Sequence, residues 1–189
     1  MAEVVSEHGY EATTIPQVIA RARVSTNTFY AHFEDKAACF IALCEMLGEQ
    51  LFEHLASLEG DPEGPADALV ALNRGIQAYV RWWPDRPAVA RAYFLELPAA
   101  GPRALEERER QYRRFETILR DIADRARALD PNLQPLREAE LTAASIVARE
   151  LVAEWVRAGR LEATEEIEEE LRYLLLKLLV SEEAARRAG

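Results

Sequence analysis

The chain has 189 residues, of which 49% are apolar and 30% charged, with a formal net charge of −10. That length allows a substantial core in one or two small domains, and the composition is ordinary for a water-soluble helical protein. No apolar run of about 18 residues is available to span a membrane and no signal peptide is visible, so a cytoplasmic protein is expected.

Enzyme chemistry finds little footing. No nucleophile–base–acid set, metal-ligand cluster or phosphate-binding loop is apparent, and the histidines are His8, His32 and His54 only. Cys39 and Cys44 lie five apart on one expected helix, so they do not share a face; they read as reduced core thiols. Neither a metal nor a cofactor is expected.

In chain order, the first informative segment is 13–40. Thr14 is a good N-cap, and Pro16 at a helix start needs no amide partner. Ile15, Val18, Ile19 and Ala22 then follow helical spacing and form one apolar face. A turn falls at Arg23-Val24, and Ser25 caps a second short helix. On that helix Thr26, Asn27 and Tyr30 share a face, while Phe29 and Phe33 form the opposite anchor. Two short helices joined by a tight turn, the second with a free polar face, have the layout of a helix-turn-helix. Asn can bond both N6 and N7 of adenine, and Thr can bond a base edge or touch a thymine methyl. Tyr30, His32 and Lys36 are within reach of phosphates. An ordinary capped helix with a solvated polar face satisfies the same periodicity.

Beyond it the pattern is helical to the end, and the fold class is all-α. A long helix is expected from Asp35 to Leu58, broken by Glu59-Gly60-Asp61-Pro62-Glu63-Gly64-Pro65. Further helices are expected over Ala66–Trp83, Pro87–Leu97, Arg103–Leu129, Pro135–Ala158 and Thr164–Val180, with fraying from Ser181 to Gly189. The domain boundary is set near residue 46, within the long helix. This gives an N-terminal head of residues 1–46 and a body of residues 47–189.

One resemblance is specific. Gly9-Tyr10-Glu11-Ala12-Thr13-Thr14-Ile15, then Val18, Ala22, Val24-Ser25, and Thr28-Phe29-Tyr30-Ala31-His32-Phe33 with Lys36, resemble the TetR (tetracycline-repressor) family over about forty residues with the family's spacing. The resemblance implies a three-helix DNA-binding head, a larger helical ligand-binding body and a homodimer. By position it puts Thr14 and Tyr30 on phosphate, and Thr26, Asn27 and Thr28 at base edges beside the Ser25 cap. His32 and Lys36 would clamp the DNA backbone.

Three features depart from that pattern. Arg23 stands where the family usually has Gly in the turn, so it must tolerate turn geometry, with φ > 0 as the strained case. Ile19 replaces a small residue, which predicts a wider separation of the two helices. Only Met1 to His8 precede Gly9, so a truncated or misassigned start is expected, with a genuinely short variant as the alternative. Arg21, Arg23 and Lys36 stand against Glu3, Glu7, Glu11, Glu34, Asp35 and Glu45, which leaves the head at a formal −3. The head therefore lacks a strong electrostatic footprint for DNA.

In the body, Tyr79, Trp82, Tyr93, Tyr112 and Trp155 are candidates to line an effector cavity, although aromatic residues between helices more often simply fill a core. Glu96, Glu150 and Glu154 interrupt apolar stretches, and ion pairing or solvation is the plainer role for each. Ile167, Leu171, Leu174, Leu175, Leu178 and Leu179, with Leu141, Ala144, Ile146, Ala148, Leu151, Val152 and Trp155, give the last two helices wide apolar faces. Those faces suggest a four-helix homodimer contact. A ligand-responsive repressor that binds a pseudo-palindromic DNA operator is the leading reading. The alternative is a helical small-molecule-binding protein with a degenerate head.

Overall fold

Several of the helices begin at a short-range signal, a capping side chain or a proline in the first turn. The structure, a computed structural model, describes residues 1–58, 68–131 and 133–179. The head comprises α1 (Ala2–His8), α2 (Ile15–Ala22) and α3 (Thr26–His32). Helix α4 (Lys36–Ser57) leaves the head and enters the body, which holds α5 (Ala68–Arg81), α6 (Pro87–Arg91), α7 (Pro102–Leu129), α8 (Glu138–Arg157) and α9 (Thr164–Leu179). No strand occurs among the described residues, and none of their helices is long and apolar enough to cross a membrane. The 59–65 breaker and the terminal fraying lie outside the described residues.

The expected Ser25 cap forms, and Asp35, expected as the first residue of the long helix, stands as the N-cap of α4. Ser25 Oγ accepts from the Thr28 N–H at 3.0 Å, and Asp35 Oδ1 accepts from the Ala38 N–H at 2.6 Å. At α2, Gln17 reaches back to accept from the Thr14 N–H at 2.8 Å, satisfying one orphan donor of the helix start. Helix α8 starts at Glu138 rather than at Pro135, because the Glu140 carboxylate accepts from the Arg137 N–H at 2.8 Å and fixes the cap there.

The largest difference from the expected pattern lies after α6. A single helix is expected over Pro87–Leu97, but the α-helix stops at Arg91. It gives way to a π turn at Ala92–Glu96, then to a 3-10 turn at Leu97–Ala100. The π turn inserts an extra residue per turn and so rotates the residues after it about the helix axis. It leaves Ala92 and Leu97 fully buried against the head.

Two cores result. The body core gathers Leu51, Leu55, Ile76, Tyr79, Trp83, Phe115, Val152, Trp155, Ile167 and Leu171 from α4, α5, α7, α8 and α9. The second core joins head and body, with Val5, Tyr10, Phe40, Ile41 and Cys44 packed on Ala92, Leu97 and Ala104. Tyr93 packs against both. Within the head, Val18, Phe29 and Cys39 form a small cluster, and Ile19 and Phe33 lie against it.

The apolar width of α8 and α9 is largely used inside the chain. Leu141, Ala144, Ala148, Val152, Trp155, Ile167, Leu171 and Leu175 are all buried without a partner molecule. Ile146 and Tyr173 remain exposed, at 46% and 61%. Leu178 and Leu179 lie where side chains are not described.

Candidate nucleic-acid interface and effector cavity

Helix α3 is held by one side and open on the other. Phe29 is buried, and its ring meets Phe33 at 5.5 Å and Tyr30 edge-on at 5.4 Å. Thr26, Asn27 and Thr28 are exposed, and Tyr30 is 54% exposed. A large aromatic left half in water by its own anchored helix is a group available to a partner. Ser25 and Thr28 are partly committed, since their hydroxyl oxygens lie 2.8 Å apart. The Thr14 hydroxyl donates to Gln17 Oε1 at 2.8 Å. His32 is exposed at the end of α3.

Lys36 requires a correction. A role clamping the DNA backbone is expected of it, yet its ammonium bonds the carbonyls of Tyr10, Glu11 and Thr13 at 2.8, 3.3 and 2.9 Å. It also lies 4.3 Å above the Tyr10 ring centroid. An ammonium has three donors, and all three are spent on the corner between α1 and α2. Lys36 braces the head from inside.

Arg23 gains in importance. It adopts φ 55 and ψ 41, the left-handed region, and caps α2 through its N–H to the Ala20 and Ile19 carbonyls. The turn thus takes the conformation that favours Gly, with an arginine in it. Arg21 is bound to Glu3 and Glu7 at 2.8 Å each, whereas the exposed Arg23 guanidinium joins no ion pair among the described residues. Arg23 is therefore the head's available cation beside the start of α3. Its place in the sequence marks it as a departure from a Gly, and that mark alone does not point to a cation for DNA.

Among the described residues, the five aromatic residues singled out as a cavity wall make separate contacts. Tyr79 stacks on Phe115 at 5.0 Å, and Tyr93 stacks on Trp83 at 5.7 Å. Burial pushes both phenols up, Tyr93 well above its ordinary range. Tyr112 is capped by the Arg149 guanidinium at 3.2 Å from its ring centroid, and Trp155 is buried beneath Arg160 at 4.3 Å. Trp82, just past the end of α5, lies under Arg86 at 4.1 Å and beside His54 in an open groove of about 540 Å³. Tyr79, Tyr93 and Trp155 pack into or against the body core, where stacking and burial of large rings are favourable.

A small, partly open apolar cavity is lined in part by Tyr79. It measures about 30 Å³ and lies between Leu72, Gly75 and Ile76 of α5, Phe115 and Ile122 of α7, and Leu171 of α9. Gly75 matters here, because a Cβ on it would stand 3.4 Å from Ile122 Cδ1. Of the glutamates, Glu150 and Glu154 pair with Arg157, while Glu96 accepts from the Tyr10 N–H at 2.9 Å.

A capped, anchored helix-turn-helix on a helical body is the layout found in DNA-binding regulators. Residues 2–43 match the family described as bacterial regulatory proteins, tetR family. The match lies on the helix-turn-helix head, which is similar to the DNA-binding segment of those regulators. No curated protein matches the chain in sequence. The fold extends the likeness over the body. A tetR-family regulatory protein from Rhodococcus RHA1 is 21% identical with a TM-score of 0.73, covering 95% of this chain and 92% of its own. The transcriptional regulator FadR from Bacillus subtilis, solved in complex with stearoyl-CoA, is 19% identical with a TM-score of 0.75, covering 94% and 95%. A gamma-butyrolactone receptor described as ArpA-like is 20% identical with a TM-score of 0.60, covering 99% and 86%.

Proposed function

We propose that this chain is a ligand-responsive repressor that binds a pseudo-palindromic operator as a homodimer. Residues 1–46 read DNA, and residues 47–189 hold the effector and the dimer contact. The observation that carries this reading is α3, whose exposed Thr26, Asn27 and Tyr30 stand opposite the buried Phe29. Asn27 is assigned to an adenine edge, with Thr26 and Thr28 beside it. Tyr30, Thr14 and His32 are assigned to phosphates, and Arg23 joins them.

The effector is assigned to the cavity between α5, α7 and α9. Its wall is aliphatic and aromatic, so the matching ligand is thin and apolar where it enters. FadR's stearoyl-CoA is a ligand with such a part. At about 30 Å³ the cavity must open as the ligand enters, moving α5 from α7. An effector then acts by binding one arrangement of body and head better than the other. The dimer contact is assigned to the last two helices, where Ile146 and Tyr173 stay exposed.

Selection of duplexes from a random pool by the full chain tests the reading. Asn27→Ala is expected to cost about 1–3 kcal/mol and relax preference at one base pair per half-site. Tyr30→Phe is expected to weaken all sequences alike. If wild type and Asn27→Ala bind selected and scrambled duplexes equally, α3 reads no sequence. Light scattering at micromolar concentration checks the dimer, which Ile146→Glu with Tyr173→Glu is expected to split.

A further inference from the structure

Tyr10, at the corner between α1 and α2, is held from three sides. Its N–H donates to Glu96 Oε2 at 2.9 Å, and its carbonyl accepts from Lys36 Nζ at 2.8 Å. Its ring stacks on Phe40 at 5.0 Å. The corner itself is stiff. Gly9 takes φ 78, the Thr13 hydroxyl donates to the Gly9 carbonyl at 2.8 Å, and Lys36 gathers the carbonyls of Tyr10, Glu11 and Thr13. Whatever moves Tyr10 moves the corner, and α2 begins five residues later.

Glu96 belongs to the body. It ends the π turn, and Arg91 Nη2 lies 3.8 Å from its Oε1. Its side chain is only 18% exposed, so water competes weakly for the Tyr10 amide. The other side-chain ties between head and body lie elsewhere. Arg103 pairs with Glu34 and Asp35 in the open, where such pairs contribute little. Gln111 bonds the Cys44 carbonyl and Arg110 approaches Glu45, both on α4 itself. Among the described residues, Glu96 therefore supplies the side-chain bond from the body to the α1–α2 corner. On the same π turn, Tyr93 packs against both the body core and the head–body core.

We infer that Glu96 is a positioning residue for DNA recognition: through the Tyr10 amide it fixes the angle of the head on the body. In a two-fold dimer that angle sets the distance between the two α3 helices, and hence the half-site spacing that fits. Glu96 touches no DNA. The inference rests on the DNA-binding function proposed for α3.

The test uses the full chain and duplexes that the wild type enriches from a random pool. Half-sites are then placed at spacings changed one base pair at a time, with a single half-site duplex as control. Glu96→Ala is expected to lower the preference for the best spacing by about tenfold while single half-site affinity stays within about twofold, the scale of one charge-assisted hydrogen bond. Exchange of the Tyr10 amide with solvent deuterium should speed up in the same variant. Glu96→Gln keeps an acceptor oxygen and is expected to flatten the profile less. It carries the comparison if the alanine variant does not fold. An unchanged spacing profile, or an equal loss on every duplex including the single half-site, overturns the inference alone. No enrichment by the wild type overturns the DNA-binding reading and this inference with it.

Discussion

Gly48→Ala separates two physical effects of opposite sign. Gly48 lies within α4, where intrinsic propensity favours Ala over Gly by about 1 kcal/mol. Packing opposes the change. A Cβ on Gly48 would sit 2.7 Å from Gln111 Oε1 and 2.9 Å from its Cδ. Gln111 is 5% exposed, and its Nε2 donates to the Cys44 carbonyl at 2.9 Å and to Glu107 Oε1 at 2.6 Å. Displacing the amide loses a neutral bond worth about 1 kcal/mol and a charge-assisted one worth about 1.5–3 kcal/mol. It also strips a donor from Glu107, itself 4% exposed. After the propensity gain, the net destabilisation is about 1.5–3 kcal/mol, or about 3–12 °C in Tm for a chain of this size. Thermal unfolding at one fixed protein concentration measures it, since the proposed dimer would make Tm depend on concentration. Repeating the change in a Gln111→Ala background closes a double-mutant cycle. There the obstruction is gone, and Gly48→Ala should turn neutral or stabilising. A Gly48→Ala variant that is more stable than wild type in both backgrounds would refute the claim that α4 and α7 meet through this amide.

Arg23→Gly should raise stability by about 1 kcal/mol, because it relieves the left-handed conformation, yet weaken DNA binding and lower the salt slope by about one. Calorimetry and a salt titration of binding check the two halves. Lys36→Ala should destabilise the head by about 1.5–3 kcal/mol through three lost carbonyl bonds and leave the salt slope unchanged, and a slope reduced by about one would restore Lys36 to the DNA backbone. Burial pushes the Cys44 thiol from an ordinary 9.0 up to about 12. The folded state therefore keeps a proton that the unfolded state releases, and this contribution is intact below about pH 9 and lost as pH rises toward the folded value. Between about pH 9 and about pH 11, denaturant titrations should show the wild type losing more stability than Cys44→Ala, and equal losses would rule out the buried thiol as a source.

The sequence by itself determined the parts whose partners lie within one helical turn. Ser25 caps α3 and Asp35 caps α4 because the bonded amides are three residues away. The turn at Arg23 and the exposed row of α3 come from periodicity, which is fixed by 3.6 residues per turn and by nothing distant. The family spacing sharpened this into a DNA-reading head. Only tertiary structure decided which side chains meet across many residues. Lys36 has the same three donors whether it faces phosphate or carbonyls, and the fold of the α1–α2 corner gave it carbonyls. Glu96 is, in sequence, an isolated charge in an apolar stretch, and its amide partner lies 86 residues away. Tyr79, Trp82, Tyr93, Tyr112 and Trp155 fit a cavity wall or a packed core equally well by composition. The choice was made by packing: Tyr79, on α5, is buried in the body core, whereas Trp82, just past the end of α5, lies in an open groove. Local hydrogen bonds are specified by neighbours in sequence, whereas long-range partners are specified by how rigid helices pack, and many sequences of equal pattern pack differently.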